Sequence, residues 1–129
     1  MTVVDTHAWI WWVSQPSRLG KGARLALEQA NRVGVPAICC LELAALAARG
    51  RITLDRPPLD WILDALALPR FELLPLTPAV AVKAAGLPAD FPGDPADRLI
   101  VATALIEAAP LVTKDDRVRR SGLAETVWS

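Results

Sequence analysis

Short apolar runs alternate with helix-like segments along the whole chain, and this alternation limits the folds open to it. The runs 2–4, 34–36, 71–76, 110–113 and 125–128 are predicted as strands. Helices are predicted over 6–13, 17–32, 37–49, 59–66, 78–86, 95–108 and 116–121. Strands that alternate with helices favour an α/β fold with a mainly parallel sheet covered on both faces. With 129 residues, 53% of them hydrophobic, we expect one domain over 1–129.

Net charge and the positions of the cysteines further limit the class of protein that the sequence can encode. Fourteen basic and fourteen acidic residues cancel, so the composition itself gives no argument for nucleic-acid binding. The adjacent pair Cys39 and Cys40 suits neither an ordinary disulfide nor a C-x-x-C metal site, which favours a core-filling role. No apolar run is long enough to span a bilayer, and no basic segment opens the chain. We therefore expect a soluble cytoplasmic protein with no membrane partner.

Four acids stand beside apolar sequence, where burial of a carboxylate is costly. Asp5 follows Val3 and Val4, Glu42 interrupts an apolar helix, and Asp97 and Asp115 flank the stretch 99–112. A carboxylate is tolerated there only if it is neutralised, hydrogen-bonded or bound to a cation. In parallel sheets ligands collect at the carboxyl ends of the strands, an edge that all four acids can reach. The sequence therefore predicts one metal-binding site.

Clustered carboxylates point to a particular chemistry. Two of them about 5 Å apart repel by roughly 3 kcal/mol at an effective dielectric near 20, a penalty that a divalent cation removes. Magnesium and manganese prefer hard oxygen ligands and are commonly held by a few carboxylates together with substrate phosphate. Such a cation activates water and stabilises charge during phosphodiester displacement. This chemistry requires no Ser-His-Asp arrangement, and the chain has a single histidine.

Each acid also has a structural interpretation. Asp94 stands before Pro95 and can cap the helix that begins there, so it is either a metal ligand or a cap. Asp97, in the first turn of that helix, is stabilised by the helix dipole alone in the simpler interpretation. Glu42 can face solvent instead, and either Asp115 or its neighbour Asp116 can face the site.

Side chains near Asp115 offer further roles. Thr113 is placed to orient a carboxylate or a water, and a strand-end cap is the alternative. His7 can shuttle a proton or can be a surface histidine near a helix start. The basic side chains around Asp115 can bind a phosphate backbone or form a solvated helix face. These basic residues are Lys114, Arg117, Arg119 and Arg120.

Four motifs, in this order and spacing, carry a resemblance that covers essentially the whole chain. They are Val3-Val4-Asp5-Thr6-His7, Leu41-Glu42-Leu43, Asp94-Pro95-Ala96-Asp97-Arg98-Leu99-Ile100-Val101-Ala102 and Leu111-Val112-Thr113-Lys114-Asp115. The combination resembles PIN-domain nucleases, specifically the VapC-type toxins of bacterial toxin–antitoxin pairs.

The resemblance implies a three-layer α/β/α sandwich with a central parallel sheet. It also implies a magnesium- or manganese-dependent endoribonuclease that forms a homodimer and is inhibited by a small antitoxin. The implied metal ligands, which are also the catalytic residues, are Asp5, Glu42, Asp97 and Asp115, with Asp94 as an accessory acid. On this interpretation three basic side chains position the RNA phosphate, namely Arg98, Lys114 and Arg117.

Two other classes compete with the nuclease. A receiver-type signalling domain also gathers acids and a cation at strand ends, but it usually has an acidic pair after the first strand. Here Thr6 follows Asp5, and the strand 71–76 ends without an aspartate. The other alternative is a catalytically idle dimerisation module whose interface uses the five tryptophans, three of which stand at positions 9, 11 and 12.

Overall fold

The computed structural model describes residues 1–91 and 94–129. The strands are β1 Thr2–Val4, β2 Val33–Pro36, β3 Phe71–Leu74, β4 Leu111–Val112 and β5 Thr126–Val127. The α-helices are α1 Thr6–Ser14, α2 Lys21–Gln29, α3 Ala37–Ala48, α4 Pro58–Leu66, α5 Pro78–Ala85, α6 Pro95–Ile106 and α7 Asp116–Ser121. This alternation confirms the predicted α/β class.

The five strands form one parallel sheet in the order β3-β2-β1-β4-β5. The chain therefore builds outward from β1 on one side, then crosses over and adds β4 and β5 on the other side. With its helices the sheet forms the predicted α/β sandwich. A receiver-like sheet places its third strand between the first and the fourth, whereas β3 here lies at the edge beyond β2. The topology excludes the receiver-type alternative.

Burial follows position in the sheet. Every residue of β1, β2 and β4 is buried, as expected for the inner strands of a parallel sheet with both faces covered. The edge strands β3 and β5 are partly exposed. In β2, a Cβ atom at Gly34 would lie 2.5 Å from Leu74 Cδ1, so the glycine allows close packing against β3. The inner strands β1, β2 and β4 therefore form the buried centre of the sheet, between the helices.

Several helix ends follow from local sequence. Asp5, Asp94 and Asp115 each accept a backbone N–H bond as the N-cap of the helix that follows. After α7 the chain turns at Gly122, whose φ of 66° suits glycine. Gly50, just beyond α3, has a φ of 70° and supports the predicted end of that helix. The acids of the predicted site thus also determine where helices begin.

Most boundaries lie within one residue of the prediction, and three regions differ by more. The segment expected as one helix over 17–32 divides into a 3₁₀ turn at Pro16–Arg18 and α2. The break falls at Gly20, where a Cβ atom would lie 2.3 Å from the Trp128 carbonyl oxygen, so the C-terminal segment packs against the backbone there. The strand β3 ends before Pro75, which has no N–H to donate, and α6 ends two residues earlier than expected.

The tryptophans lie in or against the core. Trp9 is fully buried and packs edge-on against Trp61 with ring centroids 5.4 Å apart. Trp128 is also buried, while Trp11 and Trp12 are half-buried. Trp9, Trp61 and Trp128 are therefore unavailable to the Trp-rich interface of the dimerisation-module alternative, whereas Trp11 and Trp12 keep part of their surface exposed. Cys39 is fully buried and Cys40 half-buried, both as free thiols, which confirms their core-filling role.

Within the described ranges, no helix combines the length and apolar character that a membrane span requires.

Candidate active site

The predicted acids meet at the carboxyl ends of β1 and β4, the adjacent strands between which the chain changes direction across the sheet. Asp5 directly follows β1, and Asp115 follows β4 by three residues. Glu42 comes from α3 and Asp97 from α6, two helices that contact each other. All four line one cavity of about 470 Å³. We call it the acid cavity; its other lining residues are Thr6, His7, Trp11, Ile100, Lys114 and Arg117.

Asp5 is anchored by the backbone of the helix that it caps. Its Oδ1 accepts the Ala8 N–H at 2.9 Å. Burial raises the pKa of Asp5, while hydrogen bonds from the Thr113 side chain and the Ala8 N–H lower it and reduce the net shift. The carboxylate is therefore held in one orientation, in surroundings that favour a nearby positive charge.

Asp97 shows most directly that the acids are close together. Burial, together with the negative charges of Asp94, Asp115 and Glu42, raises the pKa of Asp97 to about 6. Arg117 opposes them with its Nη2 atom 3.8 Å from Asp97 Oδ2. Arg117 does not compensate the surrounding acids, since the pKa of Asp97 stays raised.

Glu42 faces the cavity, so the solvent-facing alternative is wrong for this residue. Its Oε1 accepts a hydrogen bond from the Thr6 hydroxyl at 2.5 Å. Thr6 is buried at the start of α1, one residue after Asp5. Sequence reasoning had not assigned Thr6 a role in the site, although a hydroxyl at a strand–helix junction beside a predicted ligand was a usable signal. The bond ties α1 to α3 across the cavity.

The choice between Asp115 and Asp116 is settled by geometry. Asp115 lines the cavity; its Oδ1 accepts the Arg117 N–H at 2.9 Å, and its Oδ2 lies 3.5 Å from Arg117 Nη2. Asp116 is 72% exposed at its side chain and pairs with Arg119 at 3.6 Å. Arg117 therefore bridges Asp97 and Asp115 inside the cavity, whereas Arg119 is engaged outside it.

Thr113 and Lys114 lie where the sequence placed them. Thr113 is 1% exposed, and its Oγ1 accepts the Asp115 N–H at 3.1 Å, in addition to its contact with Asp5. It thus joins the ends of β1 and β4. The exposed residues Lys114 and His7 both line the cavity.

Two predicted site residues lie elsewhere. The guanidinium of Arg98 donates to three backbone carbonyls, of Ala84 at 3.3 Å, Leu87 at 3.4 Å and Pro88 at 2.9 Å. Its hydrogen-bonding capacity holds the α5–α6 connection, so the phosphate-binding role predicted for Arg98 is corrected to a structural one. Asp94 is exposed and caps α6 by accepting the Asp97 N–H at 3.0 Å. It acts on the cavity through its charge.

The donor set suits a hard divalent cation. Four carboxylates line one cavity, where burial and repulsion from neighbouring acids raise the pKa of Asp97. Among residues 1–91 and 94–129, however, no three acidic, histidine or cysteine side chains are spaced to ligate one ion together. If a magnesium or manganese ion binds here, Asp5, Glu42, Asp97 and Asp115 would hold it, and magnesium in proteins commonly keeps several waters beside one or two carboxylates.

Comparison with known proteins places this arrangement in context. Residues 2–122 match the PIN domain family. The chain is 46% identical over 128 residues to Ribonuclease VapC22 of Mycobacterium tuberculosis, covering 98% of this chain and 97% of that protein. Among solved structures, it resembles VapBC2 from Rickettsia felis bound to a promoter DNA fragment, at a TM-score of 0.72, 16% identity, and coverage of 99% of this chain and 98% of that one. It also resembles FitAcB from Neisseria gonorrhoeae, at a TM-score of 0.66, 22% identity, and coverage of 98% and 96%.

Proposed function

The chain belongs to the PIN domain family, and from that premise we propose that it is an endoribonuclease toxin that cuts RNA phosphodiester bonds and is controlled by a cognate antitoxin. The observation that carries the proposal is the acid cavity, where four carboxylates from four separate segments line one space at the sheet edge. Near full-length similarity to a protein named a ribonuclease supports the reaction.

We propose that Asp5, Glu42, Asp97 and Asp115 hold a magnesium or manganese ion, with Asp94 contributing its charge. When bound, such an ion lowers the pKa of water and stabilises charge on the attacking and leaving oxygens of the phosphodiester. The protein contributes a fixed arrangement of carboxylates. Hydrogen bonds donated by backbone N–H groups and a hydroxyl keep the carboxylates of Asp5, Glu42 and Asp115 from reorienting as charge develops.

Other side chains act on the substrate and on the acids. Thr113 orients Asp5 and the backbone that carries Asp115. Lys114 and Arg117 provide positive charge at the mouth of the cavity, where the phosphate backbone must approach the carboxylates. Because Arg117 lies near both Asp97 and Asp115, it also reduces the repulsion between them before the cation and the substrate bind.

Two partners follow for the protein as a whole. Solved relatives of similar fold include a toxin–antitoxin complex from Klebsiella pneumoniae, which supports a small antitoxin partner here. We also propose a homodimer that buries exposed leucines of the contacting helices α3 and α4. Leu41, Leu59 and Leu63 are 65%, 67% and 57% exposed. Analytical ultracentrifugation of Leu63→Glu tests this, since loss of the dimer is expected and an unchanged sedimentation coefficient would contradict it.

A chelation experiment tests the reaction itself. Protein stripped with chelator should leave RNA intact, and the return of Mg²⁺ or Mn²⁺ should restore cleavage. Cleavage that survives metal removal would contradict the proposed mechanism. In cells, expression should arrest growth, and co-expression of the short reading frame beside the gene should relieve the arrest. Normal growth during expression of active enzyme would contradict the toxin role.

A further inference from the structure

A second cleft lies beside the acid cavity, between the end of α1 and the segment that joins α3 to α4. Its volume is about 650 Å³. Trp11 lines both this cleft and the acid cavity, so the two spaces are neighbours at this side chain. Both polar and apolar residues line the cleft, and its positively charged residues are Arg18, Arg51 and Arg56.

The three arginines are not equivalent. Arg56 is neutralised by two carboxylates, with Nε 2.9 Å from Asp55 Oδ1 and Nη1 2.6 Å from Asp64 Oδ2. By contrast, Arg18 and Arg51 form no ion pair with any residue in the described part of the chain. Both are exposed. The cleft therefore presents two cations whose charge is available to a ligand.

Trp11 links these cations to the acid cavity. The Arg18 guanidinium carbon lies 4.3 Å from the Trp11 ring centroid, and Lys114 Nζ lies 5.8 Å from it. Trp128 packs against the same ring at 5.9 Å and holds it in place. A positively charged track thus runs from the cleft, across an indole, to the edge of the acid cavity.

We propose that this cleft is a subsite for the RNA strand on one side of the cut bond, with Arg18 and Arg51 binding backbone phosphates and Trp11 positioning Arg18 and Lys114. The inference rests on the proposed function, since it takes RNA as the occupant. Basic grooves that track a backbone past aromatic side chains are typical of proteins that bind single strands. Continuity with the acid cavity favours the substrate over a separate ligand.

The subsite can be tested by comparing RNA strands of two lengths. A short oligonucleotide can occupy the acid cavity alone, whereas a longer strand also reaches the cleft. We would measure KM and kcat with Mn²⁺ on randomised single-stranded RNA pools of about 5 and about 20 nucleotides. The variants are Arg18→Ala/Arg51→Ala and the charge-retaining Arg18→Lys/Arg51→Lys. Arg49→Ala serves as the control, because Arg49 is exposed and close in sequence but does not line the cleft.

The double alanine variant should raise KM for the long pool roughly tenfold, with kcat nearly unchanged and little effect on the short pool. Loss of two phosphate contacts should also reduce the slope of log affinity against log salt by about 1.4. The lysine variant should recover that slope, and Arg49→Ala should behave like wild type.

Equal effects of the alanine variant on both pools, or effects matched by Arg49→Ala, would overturn the subsite while leaving the nuclease intact. Unchanged kinetics together with loss of antitoxin inhibition would overturn it in favour of a protein-binding cleft. Failure of the wild-type enzyme to cut either pool would instead overturn the proposed function, and the subsite with it.

Discussion

Two acidic clusters in this protein differ in how their charge is balanced. On the surface, Asp55 and Asp64 flank Arg56, and a hydrogen bond from Arg56 lowers the pKa of Asp55. In the acid cavity, burial and neighbouring carboxylates raise the pKa of Asp97 to about 6. In both clusters an acid stands within two residues of an arginine in the sequence, Asp55 beside Arg56 and Asp115 near Arg117. The difference teaches that clustering of acids points to a site only where burial is combined with insufficient positive charge.

The largest expected difference between the two clusters is in how substitution of their acids affects RNA cleavage. Asp5→Asn and Asp97→Asn should reduce RNA cleavage by on the order of 100-fold or more, because each removes a charge that the proposed cation requires. Asp64→Asn, in the surface cluster, should leave the rate unchanged. Initial rates with saturating Mn²⁺ check this comparison, with circular dichroism to show that the variants are folded. A similar loss in Asp64→Asn would remove the distinction.

A smaller effect is expected where a neutral side chain orients the acids. Thr113→Val keeps the shape of the side chain but removes the hydroxyl that contacts Asp5 and accepts the Asp115 N–H. We expect a roughly tenfold loss of activity or metal affinity, the lower end of the range for residues that support ligands. Thr113→Ser should restore most of the activity, and failure of serine to do so would assign the loss to packing.

The substitution Asp97→Asn should raise the stability of the metal-free protein, although it lowers activity. The unfolded pKa of Asp97 is near 3.9, so a folded pKa of about 6 means that the metal-free fold is penalised as pH rises from about 4 through 6. The shift corresponds to roughly 3 kcal/mol at most. With 24% of the side chain exposed, we expect about 1–2 kcal/mol.

Asp97→Asn should therefore raise the free energy of unfolding of metal-free protein at pH 7, and the gain should disappear near pH 4. Urea unfolding at both pH values, with chelator present, measures it. Asp64→Asn is the matched control and should show no such pH-dependent gain. An unchanged or lower stability of Asp97→Asn at pH 7 would show that burial and the neighbouring acids together do not penalise the Asp97 carboxylate appreciably.

The smallest effect is expected at the surface cluster itself. Arg56→Ala removes both ion pairs but leaves only exposed carboxylates, which water solvates well. The melting temperature and cleavage of short RNA should both match wild type. A pronounced destabilisation would show that the Asp55–Arg56–Asp64 cluster contributes more to the fold than exposed pairs usually do.

Sequence reasoning predicted most of the fold, for identifiable reasons. The inner strands are continuous apolar runs, and helix starts such as Asp94-Pro95 have strong local signals. The break within the segment 17–32 could not be read locally, because it depends on packing of Gly20 against the distant Trp128. The early end of β3 before Pro75 was available in the sequence and was overlooked.

Sequence reasoning placed the acids of the site but not all of its other residues. The four main acids could be placed because each precedes, interrupts or follows an apolar run that the fold buries. Arg98 was misassigned because its place in the motif 94–102 does not determine where its side chain points, and successive residues on a helix face different ways. Thr6 had a signal in the sequence that was not used, whereas the roles proposed for Arg18 and Arg51 depend on which segments meet in space.

The central claim is that the carboxylates of the acid cavity share a divalent cation. Anomalous diffraction from crystals soaked in Mn²⁺ tests it most directly, because the signal locates the ion without reference to activity. The account predicts a peak in the acid cavity, at coordination distance from at least one of Asp5, Glu42, Asp97 and Asp115. An empty cavity beside manganese bound elsewhere, for example between Asp55 and Asp64, would contradict it.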